Sequence, residues 1–395
     1  MQRVLSLLLF FGCRALTQVP ERVEYVPDVE AWRVEVFAGA YRPGGVLQGP
    51  AREAGFREPV QMCFFPSGEG FVATEGVIMG FGKDRVLRYL AGSPALSGYR
   101  DGSPEEALLG RQLSICPDGR GGLYIGDRTN RCIRRLSRKA GRWVLDTVAG
   151  DPSRPASSEQ LARVREEGAL PTLVRSEIID GRGRQARFSY LHSNVIADAE
   201  GNAYVMDADY LRRISPEGEV TTLNPEGGTG APAGGAEPLR SAHFRLIMAG
   251  GMCFGEDGNI YVADRWNHCV RKVDLAAEMV TLAIGPGRGY IDGPAREAGF
   301  HDSPGHIVYD PYRKRFYTNG VDDWGLRTWQ GGRMMTIAGG GRTNTATEGT
   351  AREAGTHWCG ILAVDPTPPH DLYFWSNHAN WKGRIGRLFQ TGGAR

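Results

Sequence analysis

The 395-residue chain lacks an excess of either charge: 47 Lys and Arg stand against 45 Asp and Glu, for a formal net charge of +2. Nucleic-acid binding rests on a basic face that neutralises phosphates, and this balance supplies no such footprint. Lysine is scarce, at positions 83, 139, 272, 314 and 382 alone, which a composition bias toward arginine accounts for. No apolar run reaches the ~18 residues a membrane span needs. No nucleophile, base and orienting group stand at a recognisable spacing. The cysteines do not read as a disulfide framework. Cys116 and Cys132, like Cys253 and Cys269, are sixteen residues apart, which puts them on the first and third strands of a four-strand unit, roughly 9–10 Å apart. A disulfide needs Cα atoms about 4.4–6.8 Å apart. Four free thiols acting as small apolar fillers are therefore expected. A bridge between Cys63 and Cys359, on neighbouring units, stays open.

What the chain has is repetition. Gly49 to Phe56, Gly-Pro-Ala-Arg-Glu-Ala-Gly-Phe, returns unchanged at Gly293 to Phe300 and with two replacements at Gly349 to Thr356. Self-similarity at a fixed period is read before any single residue, because one repeat cannot bury its own apolar face. Six units follow, opening at Gly49, Asp101-Gly102, Asp180-Gly181, near Ala236, Asp292-Gly293 and Glu348-Gly349, with most periods between 53 and 58 residues. Each holds four short runs rich in β-branched and aromatic residues and bounded by Gly, Asn and Asp, the signature of an antiparallel meander. We label these strands a to d. Strand b reads Leu123-Tyr124-Ile125-Gly126-Asp127 in unit two and Ile260-Tyr261-Val262-Ala263-Asp264 in unit four.

Six such sheets arranged radially bury both faces of each and leave only short edges, which predicts an all-β, six-bladed β-propeller. The sixth unit stops after strand c, while a spare strand over about 32–39 precedes the first landmark. The two should pair, completing blade six and closing the ring. The domain plan is a targeting segment over 1–17, a linker over 18–31, the propeller over 32–390 with an insert at 151–179, and a tail at 391–395. Within the insert, Ser157 to Gly168 reads as one helix with a Ser157/Gln160 capping box.

The patterns Asp-Gly-x-x-x-x-Ala-x-Phe, Gly-Asn-Ile-Tyr-Val-Ala-Asp and Arg-x-Asn-His-Cys-Val-Arg-Lys-Val resemble the NHL-repeat family. The likeness covers about residues 28 to 390. Copies one, five and six depart at the end of strand b, where Thr74, Asn319 and Ser376 stand in place of Asp. The resemblance implies a six-bladed ring. Amidating lyases similar to this family hold a metal through histidines on such a ring. Carried onto this chain, that implies a zinc or calcium site at His192, His306 and His357, with His301 nearby; no cofactor is committed. Lactonases and strictosidine-synthase-like enzymes share the architecture, but no carboxylate pair here matches theirs.

In a propeller the b-to-c and d-to-a connections share one face around the axial channel, where loops vary freely. That face should carry a binding surface built from Arg128, Arg265, Trp266, His268, Asp322, Asp323, Trp324, Asn377, His378 and Trp381, a tryptophan-rich rim fit for a protein or peptide partner. Asp127, Asp207 and Asp264 recur at one blade position, which points to structure, a carboxylate capping a turn. The Arg and Glu of the Ala-Arg-Glu-Ala-Gly copies should make interblade ion pairs or turn caps. The function expected is thus a binding module, a monomer or one subunit of a complex; a metal-dependent hydrolase or lyase is the alternative. Arg3, the apolar run to Phe11 and the small-residue exit at Ala15 suggest a secretory signal, with Cys13 hinting at lipidation and a mitochondrial presequence as the alternative compartment.

Overall fold

The computed structural model describes residues 21–39, 47–56, 61–153, 178–191, 193–231, 235–245, 250–321, 323–341, 348–356, 359–376 and 384–391. The targeting segment, the insert helix at Ser157 to Gly168 and the tail at 392–395 lie outside these.

Alternating runs of four to eight residues broken by Gly turns can only fold locally as hairpins, and they do so six times. Six antiparallel sheets make a six-bladed ring. Blade 4 shows the plan: a (Met252–Phe254), b (Ile260–Asp264), c (Cys269–Asp274) and d (Met279–Ile284), paired in sequence order. Each strand a touches strand a of both neighbouring blades, so these strands line the axis. Closure is as expected: Trp32–Ala38 pairs antiparallel with Ile385–Gln390, from Trp32 opposite Gln390 to Ala38 opposite Ile385.

The landmark dipeptides add an outermost edge. Gly49–Pro50, Gly181–Arg182, Glu237–Pro238, Gly293–Pro294 and Gly349–Thr350 each pair with strand d of their own blade, a fifth strand beyond the four expected. The repeated octapeptide then makes one tight turn, in which Ala54 and Ala298 donate to the carbonyls of Pro50 and Pro294. Its two alanines are buried between blades, and Arg52 and Glu53 are exposed. Arg52 reaches Glu348 at 3.1 Å, an interblade ion pair of the kind expected.

The apolar core is divided into six clusters, each between adjacent blades. At the closure seam Phe37, Phe64, Phe81 and Tyr373 pack together, with Phe37 edge-on to Tyr373 at 4.8 Å. Residues 21–31, expected as a linker, are fastened to blade 5. Glu21–Arg22 runs parallel to Tyr290–Ile291, and Glu24 pairs with Arg333. Cys63, Cys116, Cys132, Cys253 and Cys269 are free thiols, which removes the bridge from Cys63 to Cys359.

Candidate binding face

The upper face carries the b-to-c and d-to-a connections, and buried ion pairs hold both in place. In blade 4, Asp264 is fully buried. It accepts the Arg245 N–H at 2.8 Å and the Asn267 side-chain amide at 2.9 Å, and lies 3.6 Å from buried Arg271. Arg271 in turn binds Glu237 of the edge strand. The same device recurs: Arg134 lies between Asp101 at 2.6 Å and Asp127 at 3.3 Å, and Arg212 between Asp180 at 3.0 Å and Asp207 at 2.7 Å. Each guanidinium also sits over the aromatic ring of the preceding connection, Arg212 over Phe188 at 5.0 Å and Arg271 over Phe244 at 5.5 Å. The recurring aspartates are structural, as their repetition suggests. The buried arginines were missed. Their signal was present in the sequence as an Arg on strand c of blades two to five, always matched by an acid near the landmark.

Blade 5 corrects one expectation. Asn319 occupies the usual Asp position, and Asp323, read as a rim residue, does the missing carboxylate's work. It is fully buried, accepts the N–H groups of His301 at 2.9 Å and Gly320 at 2.8 Å, and stands 3.6 Å from Arg327. Burial pushes it up to about 6, against the pull of Arg327. Trp324 is half-buried, stacked at 6.3 Å on Tyr290 and 4.8 Å from His301. Arg128 also points inward: it donates to the Leu191 carbonyl and covers Tyr190 at 5.2 Å, clamping blade 2 to blade 3.

Among the described residues, the rim side chains that face outward cluster on blades 4 and 5. Arg265, Trp266 and Asn267 form one 3-10 turn ended by His268 in the left-handed region, at φ 53°. Trp266 is 48% exposed and lies beneath the Arg245 guanidinium at 5.9 Å. Nε2 of His268 accepts from Arg288 at 2.7 Å, so Nδ1 carries the proton and donates to the Asp302 carbonyl. Burial lowers the pKa of His268, which favours this neutral form. Arg265 donates to Ser303 at 3.1 Å. Arg245 and Arg288 are exposed, and neither makes an ion pair among the described residues.

His306 stands on strand a of blade 5 (Ser303–Asp310) with its Nδ1 buried and unpartnered; burial, then Arg265, pull it down to about 4. His192, His357, Asp322, Asn377, His378 and Trp381 lie outside the described residues. Among the described residues no group of three or more His, Cys, Asp or Glu side chains is arranged to hold a metal ion.

Comparison with known proteins meets this geometry in blade 4. Residues 246–273 match the NHL repeat. The matched NHL stretch runs from the entry of strand a to strand c and contains Asp264, Trp266 and Arg271. A gluconolactonase of Zymomonas mobilis is 23% identical over 172 residues, 42% of this chain and 46% of that protein, so the match spans about half the length of the relative. Two Bacteroides crystal structures share the fold. One, from Bacteroides ovatus, is described as an auxiliary nutrient binding protein: TM-score 0.60, 13% identity, covering 91% of this chain and 76% of that one. The other is a protein of unknown function from Bacteroides thetaiotaomicron, with TM-score 0.59, 15% identity, and coverage of 91% and 76%.

Proposed function

We propose that the protein is a binding module whose upper face, on blades 4 and 5, takes an acidic segment of a protein or peptide. The observation that carries this is the pairing of free cations with an exposed ring. Arg245 lies over Trp266, and Arg288 is held outward by His268. The neighbouring carboxylates Asp264 and Asp323 are buried in ion pairs with Arg271 and Arg327 and do not cancel that charge at the surface, whereas exposed Asp302, beside His268, offsets part of it. Arginine and tryptophan are the residues that most often dominate a protein interface. Fastening of both loops by Asp264 keeps the surface preorganised, which reduces the entropy lost on binding.

The test is a titration with a fluorescent Glu/Tyr peptide and its Lys/Tyr counterpart. The acidic peptide should bind selectively, and more weakly as salt shortens the Debye length from about 10 Å at 0.1 M to about 3 Å at 1 M. The variant Arg245→Ala, Trp266→Ala, Arg288→Ala should lose at least about tenfold in affinity. Equal binding of both peptides, or an unaffected triple variant, contradicts the reading.

A second reading, a metal-dependent hydrolase or lyase at the channel mouth, is favoured by the name of the Zymomonas relative and by the unpartnered Nδ1 of His306. It predicts one tightly held zinc per chain after purification, lost in His306→Ala. Metal retained in that variant removes His306 from the reading.

A further inference from the structure

The lower face, opposite the arginines, opens into an axial cavity of about 550 Å³. Ligand sites typically measure about 300–1,000 Å³ and are mostly apolar with a few polar groups. Its walls are the outward ends of the a strands and the turns that follow them. Three cysteines stand at its wall, Cys63 from blade 1, Cys116 from blade 2 and Cys253 from blade 4, while Met62 and Met252 beside them turn their side chains into the interblade cores. Thiols are polarizable, and sulfur packs favourably at the edge of an aromatic ring. Gln61 lines the cavity, and its carboxamide has no partner among the described residues. The carboxylate at the rim, Asp198, is already held by Asn202 at 2.8 Å and Tyr204 at 3.0 Å.

We propose that this lower cavity is a binding site for one small, uncharged aromatic molecule, gripped by the sulfur-lined wall and oriented by a hydrogen bond to Gln61. A charged ligand would find no free countercharge on these walls. Burial raises the pKa of Cys63, Cys116 and Cys253, so the thiols are protonated at neutral pH, contribute as soft apolar surface, and are alkylated only slowly, through their minor thiolate form. The five described thiols fall into two sets. Cys63 and Cys116, each 8% exposed, and partly exposed Cys253 border the cavity, whereas Cys132 and Cys269 are 0% exposed within the blades.

That division supplies the experiment. The full chain is titrated with N-phenyl-1-naphthylamine, an uncharged fluorescent aromatic probe, and alkylated with N-ethylmaleimide, with peptide mapping reading each cysteine separately. The probe should saturate at one per chain. At about ten times its Kd it should slow alkylation of Cys63, Cys116 and Cys253 about tenfold, while Cys132 and Cys269 react only on unfolding. Cys116→Trp, which fills the cavity, should abolish probe binding; if circular dichroism shows that variant unfolded, Cys253→Phe takes its place. The triple variant of the upper face should bind the probe normally, which separates this site from the peptide surface. Non-saturating fluorescence, unprotected cavity thiols, or binding that survives the filled cavity would overturn the proposal.

Discussion

At the scale of single residues, the buried arginines decide where the loops stand. A guanidinium out of water must be matched by carboxylates or it destabilises the fold. Arg271 is matched twice, by Glu237 and Asp264. Asp264→Ala leaves Arg271 to Glu237 alone and takes the acceptor away from the Arg245 N–H and the Asn267 amide, so it should cost about 1–3 kcal/mol for each buried donor left unsatisfied, read by urea denaturation. Blade 1 shows the apolar alternative: Met79 stands where blades 2 to 5 have Arg, with buried Thr74 at the Asp position and Gln48 at the landmark, where it accepts from the Tyr89 N–H at 3.2 Å. Transplanting that set, as Glu237→Gln, Asp264→Thr and Arg271→Met, should cost clearly less than Asp264→Ala alone, because the Thr hydroxyl keeps an acceptor at that position and no ion is left buried. A triple variant less stable than the single one would contradict this. His306 supplies the pH dependence. Its folded-state pKa is lowered from 6.5 to about 4, so the unfolded chain takes up a proton first as pH falls. The stability it contributes is complete above pH 6.5 and is lost progressively down to about 4, at most about 3 kcal/mol. Comparison of wild type with His306→Gln across that window should show the wild type losing the advantage; a constant difference would contradict the assignment.

At the scale of the element, the Ala-Gly that closes strand d has a steric cause. Gly150 follows Arg142–Ala149 at φ 102°, and a Cβ there would lie 2.6 Å from the Arg131 carbonyl and 2.8 Å from Cys132 Cα. Gly150→Ala therefore meets both an unfavourable backbone region, costing roughly 1–2 kcal/mol by itself, and fixed backbone atoms. A loss clearly above that range is expected in thermal unfolding; a loss within it would mean the b-to-c loop yields. Elements of this kind were legible in the sequence because they repeat: strand b, the turn alanines, the aspartate after strand b and the closing strand all carried a pattern. Where blade 4 opens, the landmark is weak because the acid has moved. Glu237 pairs with Val280 as Gly181 pairs with Val220, one position past the usual Asp, and its longer side chain still reaches Arg271. The site was less legible. Sequence order places Asp323 and Trp324 on the rim with Trp266, but only packing shows that Asp323 replaces a missing partner of Arg327. Arg245 and Arg288 come from other connections and join Trp266 and His268 only in three dimensions.

At the scale of the molecule, the ring has a seam. Blades 2 to 5 each carry a buried arginine between acids at one position of strand c, where blades 1 and 6 have Met79 and Gly386. Blade 1 relies on aromatic packing, and in blade 6 the next residue, Arg387, is held between Asp371 and Glu35 of the closing strand at 2.9 Å each. Contacts near the seam, Arg52 with Glu348 and Arg352 with Glu30, are exposed and worth at most about 1 kcal/mol each. Closure therefore rests on the pairing of Trp32–Ala38 with Ile385–Gln390 and on the cluster around Phe37. The upper binding face and the lower cavity both exist only if that pairing fixes six blades about one axis. Hydrogen exchange of the Trp32–Ala38 amides tests it most directly. These amides should exchange as slowly as those of Cys132–Lys139 in the interior of blade 2, in one cooperative unit with Ile385–Gln390; exchange at the rate of a free chain would show an open ring and contradict the account.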